Sequence, residues 1–291
     1  MPSSPLSASP RAIVVTGAST GIGRAAALWM DARGFQVFAG VRKDADADSL
    51  RAAGSDRLTP IQLDVAKKDS ILSAAATVDA VLGDAPLWGV VNNAGIAVGG
   101  PLELLDVDEL RWQFEVNVFG LVQTTQAFLP AIRRGKGGRI VNIGSVGGKV
   151  VTPFMAPYNA SKFAVEALTD AMRQEMRPWN IYASCVEPGA IQTEIWGKGE
   201  ETIERVAENL GEHGTELYGH IIDAFARKVG KMQDIASPVD LVSKAIEHAL
   251  TSDSPKTRYL VGKDAHMGAF LRWILPDVAM DAFIRKVNGL P

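Results

Sequence analysis

The chain has 291 residues, 47% hydrophobic and 22% charged, with a formal net charge of -3 and a single cysteine. Such a length suits one large α/β domain with a buried core. Scattered Lys and Arg offer no grip on a nucleic-acid backbone, Cys185 cannot close an internal disulfide, and no apolar run reaches the ~18 residues of a spanning helix. Nucleic acid, a disulfide scaffold and a transmembrane segment are therefore not expected.

Residues 1–10 are rich in Ser and Pro and lack a basic start before an apolar stretch, so they read as a flexible tail and not a signal peptide. From Ala12 short apolar runs alternate with stretches of helical period, the pattern of repeated β-α units. Strands are predicted at Ala12 to Thr16, Gln36 to Val41, Leu58 to Leu63, Leu87 to Val91, Gly138 to Ile143, Ile181 to Val186 and Arg258 to Val261. Most are apolar on both faces, as strands covered by helices on each side must be. Helices are predicted at Gly21 to Arg33, Asp69 to Leu82, Asp108 to Arg134, Tyr158 to Arg177 and Pro238 to Thr251. The expectation is a doubly wound α/β fold: a seven-stranded, mainly parallel sheet with helices on both faces, forming a single domain over residues 11–264.

Two stretches break the rhythm. Residues 194–235 carry a charged helical pattern with Ile203, Val206, Leu210 and Leu217 as its apolar positions, and are expected to form a lid over the substrate. Residues 265–291 form a C-terminal apolar extension that includes Phe270, Trp273 and Ile274, with Phe283 and Ile284 further on. Three uses compete for this extension: core or subunit packing, a wall of the substrate pocket, or contact with a membrane surface. Packing on its own domain is the expectation.

The first strand runs directly into Thr16-Gly17-Ala18-Ser19-Thr20-Gly21-Ile22-Gly23 and then an Ala-rich helix. Glycines allow a tight turn and close backbone approach, and the helix start presents unpaired N–H groups to a pyrophosphate. Strand, glycine turn and helix in that order point to a dinucleotide site of the Rossmann type.

Further motifs follow in a fixed order: Leu63-Asp64-Val65, Asn92-Asn93-Ala94-Gly95, Asn117, Ser145, Tyr158-x-x-x-Lys162 and Pro188-Gly189. Together they resemble the short-chain dehydrogenase/reductase family from about Ala12 to Gly262. Arg258-Tyr259-Leu260 and the apolar tail are similar to that family's steroid and retinoid dehydrogenase branch. The resemblance implies an NAD(P)-dependent oxidoreductase that interconverts an alcohol and its carbonyl. A lipophilic, steroid- or retinoid-like substrate is implied by the branch alone. It also implies a homodimer or homotetramer, and a cytoplasmic location fits the single thiol.

Tyr158 and Lys162 stand four apart on a helix, hence on one face. A phenol titrates near pH 10 and is a poor base at neutral pH, but an adjacent ammonium favours the phenolate, which makes Tyr158 the expected general acid/base. Alone, Tyr-x-x-x-Lys is an ordinary surface pair. Ser145, in a glycine-rich turn thirteen positions before Tyr158, resembles the family's spacing and changes that reading, because its hydroxyl would then stabilise a developing alkoxide. Asn117 lies in an apolar part of its helix, where an amide needs a partner. In the family the matching Asn bends its helix and holds a water that reaches the Lys.

The expected cofactor contacts are Gly17, Ser19, Thr20, Gly21, Ile22 and Gly23 at the pyrophosphate and Asp64 and Val65 at the adenine. Asn93, Ala94 and Gly95 would allow backbone approach, and the resemblance implies that Tyr158 and Lys162 hold the ribose and that Pro188, Gly189, Ile191 and Thr193 bind the carboxamide. Val41 stands where NAD-specific members carry Asp, and Arg42 follows it, so NADP(H) is favoured, with Asp44 keeping NAD(H) in play. Glu187, before Pro188-Gly189, is taken as structural.

The four histidines show no metal-ligand spacing, and no metal is predicted. Ser145 is not bracketed as Gly-x-Ser-x-Gly, which removes a serine-hydrolase reading. A catalytically silent dinucleotide-binding sensor is the alternative function. A nucleotide-sugar epimerase ranks below it on glycine spacing.

Overall fold

The computed structural model describes residues 11–193, 211–222 and 236–290. Seven strands form one sheet in the order β3-β2-β1-β4-β5-β6-β7: β1 (Ala12–Val15), β2 (Gln36–Val41), β3 (Leu58–Gln62), β4 (Leu87–Asn92), β5 (Gly138–Ile143), β6 (Ile181–Pro188) and β7 (Arg258–Val261). Every pairing is parallel. The family-like fold therefore stands, with the sheet wholly and not mainly parallel.

Alternation along each strand divides the core in two. Ile13 and Val15 face a cluster completed by α1 (Gly21–Ala32), α2 (Asp44–Ala53) and α7 (Asp240–Thr251), through Met30, Leu50, Val242 and Ile246. Val14 and Phe38 face the opposite cluster, closed by α3 (Lys68–Leu82) and α5 (Gly120–Arg133) through Ile71, Val78, Phe128 and Ile132. The chain reverses its direction of travel between β3 and β4, so β1 and β4 become neighbours. This is the switch point outside whose carboxyl ends ligands bind in such sheets.

Several elements differ from expectation. The acidic segment after Arg42 forms α2, whose buried residues are only Ala47 and Leu50. The long helix over 108–134 is three pieces: α4 (Val107–Phe114), a π-helical turn Glu115–Phe119, and α5. The C-terminal extension folds into α8 (Lys263–Ile274) and α9 (Asp277–Asn288). Ala265 and Met280 are buried there, while Trp273 keeps 82% of its surface exposed. Residues 1–10 and most of the lid expected over 194–235 lie outside the described residues. Within that stretch, residues 211–222 are helical. No helix among the described residues is long and apolar enough to cross a membrane.

Candidate active site

The glycine turn is shaped by close backbone contact. Gly17 has φ +63, and a Cβ there would lie 2.8 Å from Ala94 Cα. A Cβ on Gly23 would lie 2.2 Å from the Gly17 carbonyl oxygen. Thr16 and Asn93 lock the turn to the end of β4. The Thr16 hydroxyl accepts the Asn93 and Ala94 N–H groups, both at 2.9 Å, and the Asn93 amide donates to the carbonyls of Thr16 and Gly17 at 2.9 and 3.1 Å. Thr20 begins α1 in extended conformation with no side-chain cap, and no acidic residue sits in the first turn, so the positive helix end is unopposed. Arg24 Nη1, one residue past the last glycine, is buried without a hydrogen-bond partner among the described residues.

Other predicted contacts fall around this turn. Thr193 lies over it, 3.5 Å from where a Gly21 Cβ would be. Ser19, Thr20 and Ile22 are half-buried within it. Val41 is buried and Arg42 exposed at the end of β2, and Arg42 forms no ion pair among the described residues. Asp44 instead accepts from Gln62 Nε2 at 2.7 Å. The Asp64 carboxylate accepts the Ala66 N–H at 3.2 Å, and Val65 is buried against Gly120. Gly95 stands beside the Asn117 side chain. Gly189 packs on the Asp264 carboxylate, which accepts the Ala190 N–H at 2.6 Å, and Ile191 bridges to Ser237 in the core.

Across the switch point, α6 (Ala156–Glu175) starts at Ala156-Pro157, where proline's fixed φ suits a first turn. Its buried face carries Asn159, Lys162, Glu166 and Thr169, a polar stripe at helical spacing. Such a stripe folds only if each member is satisfied. Each one is. Asn159 donates to the Gly147 carbonyl at 2.9 Å, Lys162 Nζ to the Ile143 carbonyl at 2.8 Å, and Thr169 receives from Asn142 at 2.9 Å. Glu166 accepts from the Cys185 thiol at 3.1 Å and from Arg258 Nε at 2.9 Å.

Ser145 follows β5 at the start of a short 3-10 turn, Val146–Gly148. Its hydroxyl accepts the Gly147 N–H at 3.0 Å and donates to the Pro188 carbonyl at 3.4 Å, and it lies close enough to the Tyr158 phenol to favour its ionised form. Lys162 Nζ lies 5.6 Å from the centre of the Tyr158 ring. Asn117 sits in the π-helical turn. Its amide oxygen accepts the Ile96 N–H at 2.9 Å, and its nitrogen donates to the Ile96 carbonyl and to Ser161 Oγ, both at 3.1 Å. Ser161 in turn donates to the Tyr158 carbonyl at 2.7 Å. Ser145, Tyr158, Lys162 and Asn117 thus belong to one connected group at the carboxyl edge of the sheet.

The electrostatics depart from the expected lowering of the phenol. Burial pushes Tyr158 above its ordinary pKa, and only the Ser145 hydrogen bond works against that. The reason is that the Lys162 ammonium is directed at the Ile143 carbonyl and is itself desolvated. Burial lowers Lys162 to about 8, with Cys185 and Glu166 opposing the fall. At neutral pH the phenol keeps its proton and the ammonium its charge.

Several site neighbours were not singled out from sequence: Thr16, Asn159, Lys149, Glu166 and Phe154. Phe154 has φ +65, rare for a bulky residue, and its ring meets Tyr218 of the 211–222 helix edge-on at 6.1 Å between centroids. Tyr218 also donates to Glu103 at 2.6 Å, tying the 211–222 helix to the loop after β4. The signal for Asn159 and Glu166 was their helical spacing from Lys162. All four histidines are exposed.

Residues 11–223 match the family model described as short chain dehydrogenase. This chain belongs to the short chain dehydrogenase family. It is an oxidoreductase. It is 38% identical to 17-beta-hydroxysteroid dehydrogenase type 6 of Bos taurus over 259 residues, covering 87% of this chain and 81% of the relative. It is also 38% identical to the mitochondrial D-beta-hydroxybutyrate dehydrogenase of Bos taurus over 265 residues, 86% of this chain and 76% of the relative. A short chain dehydrogenase from Burkholderia cenocepacia, solved in complex with NADP, superposes with a TM-score of 0.71 at 25% identity, covering 95% of this chain and 98% of that one. Membership accounts for the order in which Ser145, Tyr158 and Lys162 follow the glycine turn.

Proposed function

We propose that this short chain dehydrogenase interconverts a lipophilic, steroid-like alcohol and its carbonyl with NADP(H). The observation that carries the reading is the convergence of the Ser145 hydroxyl, the Tyr158 phenol and the Lys162 ammonium at the sheet edge beside the glycine turn. The cradle fits a dinucleotide: the turn admits no Cβ at Gly17 or Gly23, and the start of α1 has no side-chain cap. Gly17, Ser19, Thr20, Gly21, Ile22 and Gly23 would hold the pyrophosphate, with Arg42 at the 2′-phosphate and Asp64 and Val65 at the adenine. Asn93, Ala94 and Gly95 would flank the cofactor. Pro188, Gly189, Ile191 and Thr193 would meet the carboxamide. When bound, the nicotinamide exchanges the hydride.

The chain's own residues handle the proton. Tyr158 starts protonated and donates to the substrate oxygen in the reductive direction, and it accepts that proton in the oxidative one. Ser145 hydrogen-bonds the same oxygen and stabilises its developing charge. Lys162 would hold the ribose, while Asn117 fixes Ser161 and so the start of α6. Phe154 and Tyr218 meet edge-on next to Met155, the residue that caps the helix carrying Tyr158, and this aromatic pair supports a lipophilic substrate over a small acid.

The test is a spectrophotometric screen of hydroxysteroids, retinol and 3-hydroxybutyrate with NADP+ and NAD+, and of the ketones with the reduced forms. Steroid turnover with NADPH is expected. Turnover of 3-hydroxybutyrate alone overturns the substrate class, and cofactor binding without any turnover overturns the enzyme reading. A cytoplasmic homodimer or homotetramer belongs to the same proposal. Exposed Phe270, Trp273 and Val278 supply apolar surface for a sister chain, and sedimentation of Trp273→Ser against wild type checks it.

A further inference from the structure

Behind Ser145 lies a buried ionic cluster that the proposed chemistry does not use. Lys149 directly follows the 3-10 turn, and its Nζ stands 3.3 Å from Glu187 Oε1 and 3.6 Å from Glu166 Oε2. Glu187 is wholly buried at the end of β6, and Glu166 lies one helical turn beyond Lys162 on α6. Arg258 of β7 closes the ring, 2.9 Å from Glu166, 3.3 Å from Glu187 and 2.8 Å from Asp170. Lys149 is therefore the ion that joins the Ser145 turn to the two elements between which Ser145 works.

Backbone links carry this tie to the hydroxyl. The Lys149 N–H donates to the Val146 carbonyl and the Gly148 N–H to the Ser145 carbonyl, both at 2.9 Å. On the other side Glu187 precedes Pro188, whose carbonyl lies 3.4 Å from Ser145 Oγ. Resting on the catalytic reading of Ser145 given above, we propose that Lys149 is a positioning residue: its bridge to Glu187 and Glu166 holds the Ser145 turn in register with α6.

The cluster also borders a cavity whose lining includes neither Ser145 nor Tyr158. A cavity of about 460 Å³ is lined by Lys149, Glu187, Lys256, Arg258 and His266 among others. The charged and titratable groups facing Glu187 are thus Lys149, Glu166 on α6, Cys185 on its own strand and Arg258 on β7, with Lys256 and His266 across the cavity. Burial and the Glu166 charge raise Glu187 to about 7, against the pull of Lys149 and Arg258. Protonation of Glu187 below that pH removes one of the two anions holding Lys149. The bridge then weakens and Ser145 loses register.

The experiment compares wild type, Lys149→Met, Lys149→Arg and Glu187→Gln for kcat across pH, KM for substrate, NADPH affinity by fluorescence, and melting temperature. Lys149→Met should lower kcat by about 10- to 100-fold, the scale of a small misplacement of a reacting group, with NADPH affinity unchanged. Lys149→Arg should restore most of the loss. Wild-type kcat should fall on the acid side around pH 7, and Glu187→Gln should lack that limb and stay near the low plateau. Unchanged kcat in a folded Lys149→Met overturns the inference, as does an acid limb that persists in Glu187→Gln. If Lys149→Met does not fold, Lys149→Arg and the Glu187→Gln profile decide. Wild-type protein without turnover on any alcohol or ketone sinks the functional reading and this one with it. Turnover that requires Ser145 but ignores Lys149 sinks this one alone.

Discussion

Two turns leave the carboxyl edge of the same sheet on either side of the switch point, and they are held by different forces. The glycine turn after β1 is fixed by steric contact and neutral hydrogen bonds: Ala94 against Gly17, and Thr16 and Asn93 on its backbone. The Ser145 turn after β5 is fixed by Asn159 and by the ions Lys149, Glu166, Glu187 and Arg258. Contact and neutral hydrogen bonds change little with pH, whereas buried ions are costly to desolvate and depend on it strongly. The nucleotide side should therefore tolerate pH and punish added volume, and the catalytic side should do the reverse.

The sharpest way to separate the two sides is Tyr158→Phe. It should lower kcat by about 10²- to 10⁴-fold, the usual worth of a positioned acid/base, and weaken NADPH affinity far less when both are measured in one preparation. A variant that keeps kcat would remove the phenol from the chemistry.

Volume added to the other turn should do the opposite. Gly23→Val places a side chain where a Cβ alone meets the Gly17 oxygen at 2.2 Å. Overpacking of this kind costs about 1–3 kcal/mol, read as a lower midpoint in denaturant, and NADPH binding should be lost. Retained binding would mean that the cradle is softer than its contacts imply.

A smaller change is expected at the end of β2. Arg42→Ala should reduce the preference for NADPH over NADH by about 10- to 100-fold in kcat/KM, the value of one charge-assisted contact. Equal losses with both cofactors would show that Arg42 does not meet the 2′-phosphate.

The smallest effect is on stability. Because Glu187 is raised to about 7, mainly by burial, the folded protein keeps a proton there that the unfolded chain has already released. This group's contribution is full below the ordinary carboxylate range and is lost as pH rises through about 7. Melting temperatures of wild type and Glu187→Gln should diverge over that window, wild type falling relative to the variant. Parallel curves would place the titrating group elsewhere. The same ionised carboxylate that weakens the fold is the one that holds Lys149 for catalysis, a common trade at functional sites.

How much of this was legible in the sequence follows from the range of the forces involved. Strands such as Ala12–Val15 and Ile181–Pro188 were readable because burial on both faces demands continuous apolar runs, a local property. The spacing of Gly17, Gly21 and Gly23 and of Tyr158 and Lys162 was readable because one turn or one helix contains each set. Helix α2 was missed because its burial needs only Ala47 and Leu50 in an acidic segment, and α8 and α9 because their outer faces are also apolar. The π-helical turn at Asn117 leaves no periodic trace. Its amide is satisfied by Ile96 and Ser161, which come from separate elements.

By itself, then, the sequence determined a mostly apolar sheet, a phosphate turn and a Tyr-Lys pair beside a serine, since each is set by neighbours in the chain. Tertiary structure decided the protonation of that pair and the means of holding the serine. Burial raises Tyr158 and lowers Lys162, and the partners of Lys149 arrive from α6 and β6, so these properties exist only once distant segments exclude water together.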